Sequence, residues 1–315
     1  MSEYYIGVDL GGTNIAAGIV DKNGEIICKK SVRTNLPKPE AELENDIFLL
    51  CKSLCEENGY DINKDIICVG IGTPGSVDGK RGIVWSNVNF GYENWKIKEN
   101  LEKLFGLSVY VENDANAAAF GEYVVNGKGA KNVIFVTLGT GIGGGIIING
   151  KLYKGANGAA GELGHCVLVE GGLPCTCGMN GCWEQYASVT ALISQTKAAI
   201  EKNPDSLMVK ISEERGVVNG RTAFEAAKKG DKAAEEVVSQ YAQYIAAGTV
   251  SMINIFQPEK LIIGGGISRE GDYLLNPVRE FCNAKSYKTD GKKTIIEAAT
   301  LFNDAGIIGA ALSAR

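Results

Sequence analysis

Apolar and polar positions change rhythm along this chain, and the changes mark out its elements. Residues 4–20 alternate as two strands of a hairpin, with Asp9-Leu10-Gly11-Gly12-Thr13 at the turn and Asn23-Gly24 closing the next one. Residues 40–57 carry apolar side chains at helical spacing, and 66–71 is a continuous apolar run of the buried-strand type. A strand is predicted over 107–112 and a helix over 113–125. Residues 132–149 form a second glycine-rich hairpin, and 155–184 is loop-like. Helices are predicted over 188–201, 222–229 and 231–256. A strand over 260–263 leads into Gly264-Gly265-Gly266, and the chain ends with a strand near 294–298 and a helix from about Asp304.

The two hairpins resemble each other: IGVDLGGTNIAAGIV and FVTLGTGIGGGIIIN both run apolar strand, Leu-Gly turn, small residues and a second apolar strand. This weak internal repeat predicts two related α/β domains, each presenting a glycine-rich turn to a shared ligand across a cleft. The expected division is a smaller domain over residues 1–115, joined by the C-terminal helix at about 300–315, and a larger one over 116–299. A length of 315 residues agrees with two domains.

Composition narrows the functional classes. With 45% hydrophobic and 22% charged residues, a folded protein with sizeable cores is expected. The net charge is −5 and no Lys/Arg-rich run stands out, which argues against nucleic-acid binding. No stretch has the pattern of a signal peptide or a membrane span, so a cytoplasmic protein without a membrane partner is expected. The nine cysteines are an odd number, and Cys28, Cys51, Cys55, Cys68, Cys166 and Cys282 are scattered, several of them in apolar runs. They read as small buried hydrophobes in a reducing compartment.

The other three cysteines lie close to the only histidine of the chain. His165, Cys175, Cys177 and Cys182 make a Cys₃His set, and such soft, closed four-ligand sets suit a structural zinc ion. Gly178 and Gly181 let the backbone fold tightly between ligands. A disulfide or a run of thiols is the alternative, since Cys-x-Cys is tighter than the commoner metal spacing.

The glycine turns suggest phosphate. Asp9-Leu10-Gly11-Gly12-Thr13 and Leu138-Gly139-Thr140-Gly141-Ile142-Gly143-Gly144 offer backbone N–H groups in concave turns, Thr13 and Thr140 add hydroxyls, and Asp9 is placed to hold Mg²⁺ through water. No G-x-x-x-x-G-K-[ST] occurs, which excludes a P-loop. Residues 139–144 satisfy G-x-G-x-x-G, yet they precede a strand rather than a helix, so the dinucleotide fingerprint fails on context. In Glu112-Asn113-Asp114-Ala115-Asn116, helix capping by Asn113 or Asp114 is the plain reading. With the histidine committed to metal, a general base for a hydroxyl must be a carboxylate, and Asp114 is the best placed.

Taken in order, Asp9-x-Gly-Gly-Thr13, Gly72-Thr73-Pro74-Gly75, Glu112-Asn-Asp-Ala-Asn116, Leu138-Gly-Thr-Gly-x-Gly-Gly-Gly145, Gly161-Glu-Leu-Gly-His165 and Cys175-x-Cys-Gly-x-x-Gly-Cys-x-Glu184 resemble the ROK family of sugar kinases, and most of all its bacterial glucokinases. The resemblance covers essentially the whole chain. It implies a two-domain actin-like (ribonuclease-H-like) ATPase fold, with an inserted zinc loop, usually in a homodimer. It implies ATP and Mg²⁺ as cofactors and phosphorylation of a hexose, most of all glucose, at the 6-hydroxyl. Asp114 matches the family's catalytic base. Gly75, Asn113, Asp114, Glu162, His165 and Glu184 match sugar-binding positions, with Asn87 a looser match within 85–88. Gly264, Gly265 and Gly266 match the adenosine-side motif, and Asp9, Gly11, Gly12, Thr13, Thr140 and Gly141 the phosphate side. Other members phosphorylate fructose or N-acetylated amino sugars, and some are sugar-responsive regulators with an upstream DNA-binding domain. Asp9 already belongs to the first motif, so the regulator is the weaker expectation.

Overall fold

The computed structural model describes residues 3–87, 90–127, 129–287 and 293–313. Val88, in the loosely matching stretch, and the last two residues of the expected C-terminal helix lie outside the described residues. The chain opens with β1 (Tyr4–Leu10), β2 (Asn14–Asp21) and β3 (Ile26–Arg33), successive antiparallel strands. Helix α1 (Glu40–Glu57) leads to β4 (Ile66–Thr73), which pairs parallel with β1. A small antiparallel sheet follows, of β5 (Ser76–Asp78), β6 (Ile83–Asn87) and β7 (Tyr92–Trp95). Then come α2 (Ile97–Phe105), β8 (Val109–Asn113), which is parallel to β4, and α3 (Asp114–Asn126). The first large sheet has the order β3-β2-β1-β4-β8.

The second half repeats this plan. Strands β9 (Val133–Leu138), β10 (Ile142–Ile148) and β11 (Lys151–Leu152) precede the loop, and the short α4 (Glu184–Ala187) ends it. Helices α5 (Val189–Lys202), α6 (Leu207–Arg215), α7 (Thr222–Ala227) and α8 (Lys232–Phe256) lead to β12 (Lys260–Gly264). The chain closes with α9 (Asp272–Lys285), β13 (Ile295–Ala298) and α10 (Asp304–Leu312). The second sheet has the order β11-β10-β9-β12-β13, with β12 parallel to both β9 and β13. A meander extended by parallel strands thus occurs twice, the duplication expected of the actin-like fold. Among the described residues no helix is long and apolar enough to cross a membrane.

Two compact units divide the chain: Met1–Lys131, Gly145–Gly161 and Thr300–Arg315 form one, Asn132–Gly144 and Glu162–Ala299 the other. The first therefore runs beyond the expected limit at residue 115 and takes in α3. The reason is backbone contact with α10. A Cβ on Gly309 would overlap the Ala117 carbonyl, and one on Gly121 the Ala305 carbonyl, so these helices cross as closely as their main chains allow. Glu122, fully buried in α3, accepts from the backbone N–H of Leu301 (2.8 Å) and Thr300 (3.3 Å) and from Asn126 Nδ2 (2.6 Å), tying down the approach to α10. Helix α10 is apolar on every side and buried from Ala305 to Leu312, as a helix enclosed by its neighbours must be.

The first sheet is covered on both faces, and side chains alternate between them. Ile6, Val8 and Leu10 of β1 join a core that includes Leu43, Ile47, Leu50 and Leu54 of α1. Tyr5 joins Ile307, Ile308 and Ala311 of α10 on the other face. Asp9 shares the register of Tyr5, so alternation directs it towards α10, and a Cβ on Gly306 would stand 2.8 Å from its carboxyl carbon.

Candidate functional site

The first unit holds two carboxylates of interest, Asp9 near the end of β1 and Asp114 at the start of α3. Asp9 ends β1 against the first turn of α10. Burial, and then the charge of Asp114, raise its pKa from 3.8 to about 6. Asp114 opens α3, and burial raises it as well, opposed by the N–H of Ala115 that its Oδ1 accepts at 2.8 Å. The cap of α3 is Asn113, whose Oδ1 accepts from Ala115 N (3.0 Å) and Asn116 N (3.1 Å). Of the two residues the plain capping reading considers, Asn113 does the work, and the fold does not need Asp114 as a cap.

A measurable consequence concerns stability. An aspartate whose folded pKa lies above its unfolded one favours folding at low pH, and that contribution is lost as pH rises through the folded value of about 6. Asp9→Asn should therefore stabilise the protein at about pH 8, by on the order of 2–3 kcal/mol, and give no such gain at about pH 4. Chemical denaturation at both pH values, without added magnesium, checks this. An equal effect at the two pH values would show that the Asp9 charge is not what is being relieved.

Asn113 also links to the other expected sugar positions of this unit. Its Nδ2 donates to Gly75 O at 3.2 Å, and Asn87 Nδ2 donates to Pro74 O at 2.6 Å. Gly75 has φ +107°, and a Cβ there would overlap Ser86 O, so only glycine makes this turn. Asn87 is buried, and its Oδ1 accepts from Phe90 N at 3.2 Å. Its amide thus ties the Pro74–Gly75 turn to the chain at Phe90. In the β1–β2 turn, Gly11 N donates to Asn14 O (2.9 Å) and Thr34 Oγ1 to Gly11 O (2.7 Å). Gly12 and Thr13 are exposed there, and a Cβ on Gly12 would meet nothing within 4 Å. Among the described residues nothing demands glycine at this position.

The second unit holds the cysteine cluster. One donor atom each from His165, Cys175, Cys177 and Cys182 lies within 4.8 Å of all the others. Cys175 Sγ stands 3.6 Å from His165 Nδ1, and Cys177 Sγ 3.6 Å from Cys182 Sγ. Sulfurs on a tetrahedral zinc lie about 3.8 Å apart, given Zn–S near 2.3 Å. The separation fits shared coordination and is longer than an S–S bond, and all described cysteines are thiols. Burial and its thiol neighbours push Cys182 up, while the Met179 N–H holds Cys177 down. Of the scattered cysteines, Cys51, Cys55, Cys68 and Cys282 are buried as expected, but Cys28 is half-buried and Cys166 exposed.

With Nδ1 on the cluster side, His165 turns Nε2 towards Glu162, whose Oε2 is 3.9 Å away. Glu184 Oε1 lies 3.1 Å from Cys175 Sγ and 3.8 Å from His165 Nδ1. Its Oε2 reaches Ile142 N at 3.4 Å and stands where a Cβ on Gly141 would go. Thr140 is exposed on the same turn. Gly265 (φ +88°) is dictated by packing on Leu138 O, and Gly264 by Phe135, whereas a Cβ on Gly266 or Gly139 would meet nothing within 4 Å. Each unit therefore has motif glycines that no packing among the described residues requires. The sequence reading missed Glu112, buried beneath the start of α3, and Gly306, which makes room for Asp9.

The ROK family profile matches residues 5–315. A glucokinase of Streptomyces coelicolor is 41% identical over 98% of this chain and 97% of its own. The crystal structure of a ROK family glucokinase from Streptomyces griseus, in complex with glucose and AMPPNP, superimposes with a TM-score of 0.82 at 38% identity, covering 98% of each chain. A ROK family transcriptional regulator, homologue of the E. coli MLC protein, gives a TM-score of 0.87 at 25% identity, over 98% of this chain and 77% of that one. With the profile spanning nearly every residue, the chain belongs to the ROK family.

Proposed function

We propose that this protein is a glucokinase, which transfers the γ-phosphoryl group of ATP to the 6-hydroxyl of glucose with Asp114 as the general base. The observation that carries the reading is Asp114 itself: a carboxylate on a helix start that Asn113 already caps, near enough to Asp9 for its charge to be felt there. Likeness to the S. coelicolor and S. griseus glucokinases supports glucose and ATP as substrates.

Asp114 orients the attacking hydroxyl and accepts its proton, a task that asks for positioning more than covalent chemistry. Asp9 suits a divalent cation, since a second carboxylate beside it makes a positive charge welcome. Bound with ATP, Mg²⁺ would neutralise charge on the phosphates. Gly11, Gly12 and Thr13, with Thr140 and Gly141, offer N–H and hydroxyl donors to phosphate, and Gly264–Gly266 approach the adenosine. Glu162 and Glu184 each accept from neighbouring sugar hydroxyls, and His165 Nε2 donates to another. Zinc suits His165, Cys175, Cys177 and Cys182, and would fix the loop that presents these groups. Asn113 contacts the sugar, and Asn87 serves by holding the Gly75 turn.

The test is ADP release with ATP and a panel of glucose, fructose, mannose, N-acetylglucosamine and N-acetylmannosamine. Glucose should give the highest kcat/KM. A higher value for an N-acetylated sugar would replace glucose, and no ADP release with any sugar would favour the regulator reading that the likeness to the MLC homologue raises.

A further inference from the structure

We propose that Lys154 is a positioning residue for Asp114, acting through the buried Glu112; the proposal rests on Asp114 being the base. Glu112 is 5% exposed at the end of β8, and the Lys154 ammonium lies against its Oε2. That ion pair is the only partner of Oε2 among the described residues, for the atom is otherwise buried without a hydrogen bond. The other oxygen, Oε1, accepts from Asn113 N (3.1 Å) and Asn116 Nδ2 (3.2 Å). These two residues bracket Asp114 along the chain, and Asn113 is the cap of its helix. A single carboxylate thus grips the chain just before the base and one turn into its helix, and Lys154 supplies the only counter-charge on that carboxylate among the described residues.

Lys154 is itself held for this. Its neighbour Tyr153 donates its N–H to Ile146 O at 2.7 Å, and its own carbonyl accepts from Ala160 N at 3.2 Å. Gly79 lies beside the ammonium and is itself packed on Val111 O, which a Cβ there would approach to 2.9 Å. A buried carboxylate stripped of its counter-charge is costly, and the chain around it rearranges to reach water or a new partner. Here that chain is the start of α3. A displacement of the base by a fraction of an ångström leaves binding groups elsewhere untouched, yet it spoils the alignment of hydroxyl and phosphorus.

The experiment compares Lys154→Met and Lys154→Arg in the full chain with the parent protein. Lys154→Met should lower kcat about 10²-fold with a smaller rise in the sugar KM, because Asn113 shifts with the start of α3, and Lys154→Arg, which keeps the charge, should recover most of the loss. Hydrogen exchange at the amides of Asn113, Ala115 and Asn116 should be faster in Lys154→Met. This last readout does not depend on which group is the base. The side chain of Lys154 is 43% exposed, so Lys154→Met should fold; if its melting curve says otherwise, Lys154→Gln takes its place with the same expected outcome. Wild-type kcat in the Met variant, a loss that Arg does not recover, or unchanged amide exchange each overturn the proposal. An active Asp114→Asn protein would remove the base assignment alone, and the amide exchange and kcat of Lys154→Met would still decide whether the ion pair holds the start of α3.

Discussion

Asp114→Asn should lower kcat for sugar phosphorylation by about 10²–10⁴-fold, the range over which a positioned general base contributes. Asparagine has the shape of aspartate, and its amide oxygen can still accept the Ala115 N–H that Asp114 takes at 2.8 Å. Helix α3 keeps its cap, because Asn113 makes both capping bonds. The substitution therefore removes the proton acceptor and little else, and glucose affinity by calorimetry should be largely retained. The pH profile sharpens the test. Burial raises the pKa of Asp114, so the ionised, proton-accepting form is depleted as pH falls towards that raised value. In the parent protein kcat should fall on the acid side, and in Asp114→Asn only the part of that limb set by Asp9 should remain. Near-normal turnover in the variant would place the base elsewhere.

The sequence made some of this legible and hid the rest for physical reasons. Helix α1 and the two glycine-rich hairpins carry strong periodicity, and they occur where the pattern puts them. The β5–β7 sheet escaped because its strands are short and Gly79, Gly82 and Gly91 interrupt the alternation. Helix α2 carries Ile97, Leu101 and Phe105 at helical spacing, but over only 9 residues, which gives a faint pattern. Helix α9 holds Pro277, which counts against a helix unless its turn tolerates a missing donor. The unit boundary turned on Gly121 and Gly309, which act by having no side chain and so leave no periodic trace. At the site, Asp9, Asp114 and the cysteine cluster stood in recognisable motifs. Lys154 did not: it is one of many basic residues, and only the fold brings it to Glu112.

Cys177→Ser should reduce zinc from about one ion per chain to near none and raise the KM for glucose at least about tenfold. Cys177 is the exposed member of the set, so a hydroxyl in its place disturbs no core packing. The loop around it has little else to hold it. Val167, Val169, Leu173 and Met179 are exposed, and its order comes from main-chain bonds such as Cys175 N to Met179 O (2.9 Å) and Gly181 N to Leu173 O (2.7 Å). A segment with so few buried apolar contacts is the first to loosen when a crosslink is lost. The loosening should be uneven. Glu184 follows Trp183, which is buried, donates Nε1 to Tyr244 O at 2.8 Å and packs on Gly248 of α8. Around His165 the backbone is held by the buried Leu163, by Gly164 packed on Ile142 O and by the Trp183 N–H that Cys166 O accepts at 2.8 Å, so only its side chain depends on the cluster. Removal of zinc should therefore release the His165 side chain and the cysteine turn while Glu184 stays near its place. Amide exchange should rise over residues 173–182 and much less over 184–187, with kcat at saturating glucose affected less than KM. Zinc loss with an unaltered KM would detach the metal from sugar recognition, and a parent protein purified active without zinc would end the assignment of this cluster as a zinc site.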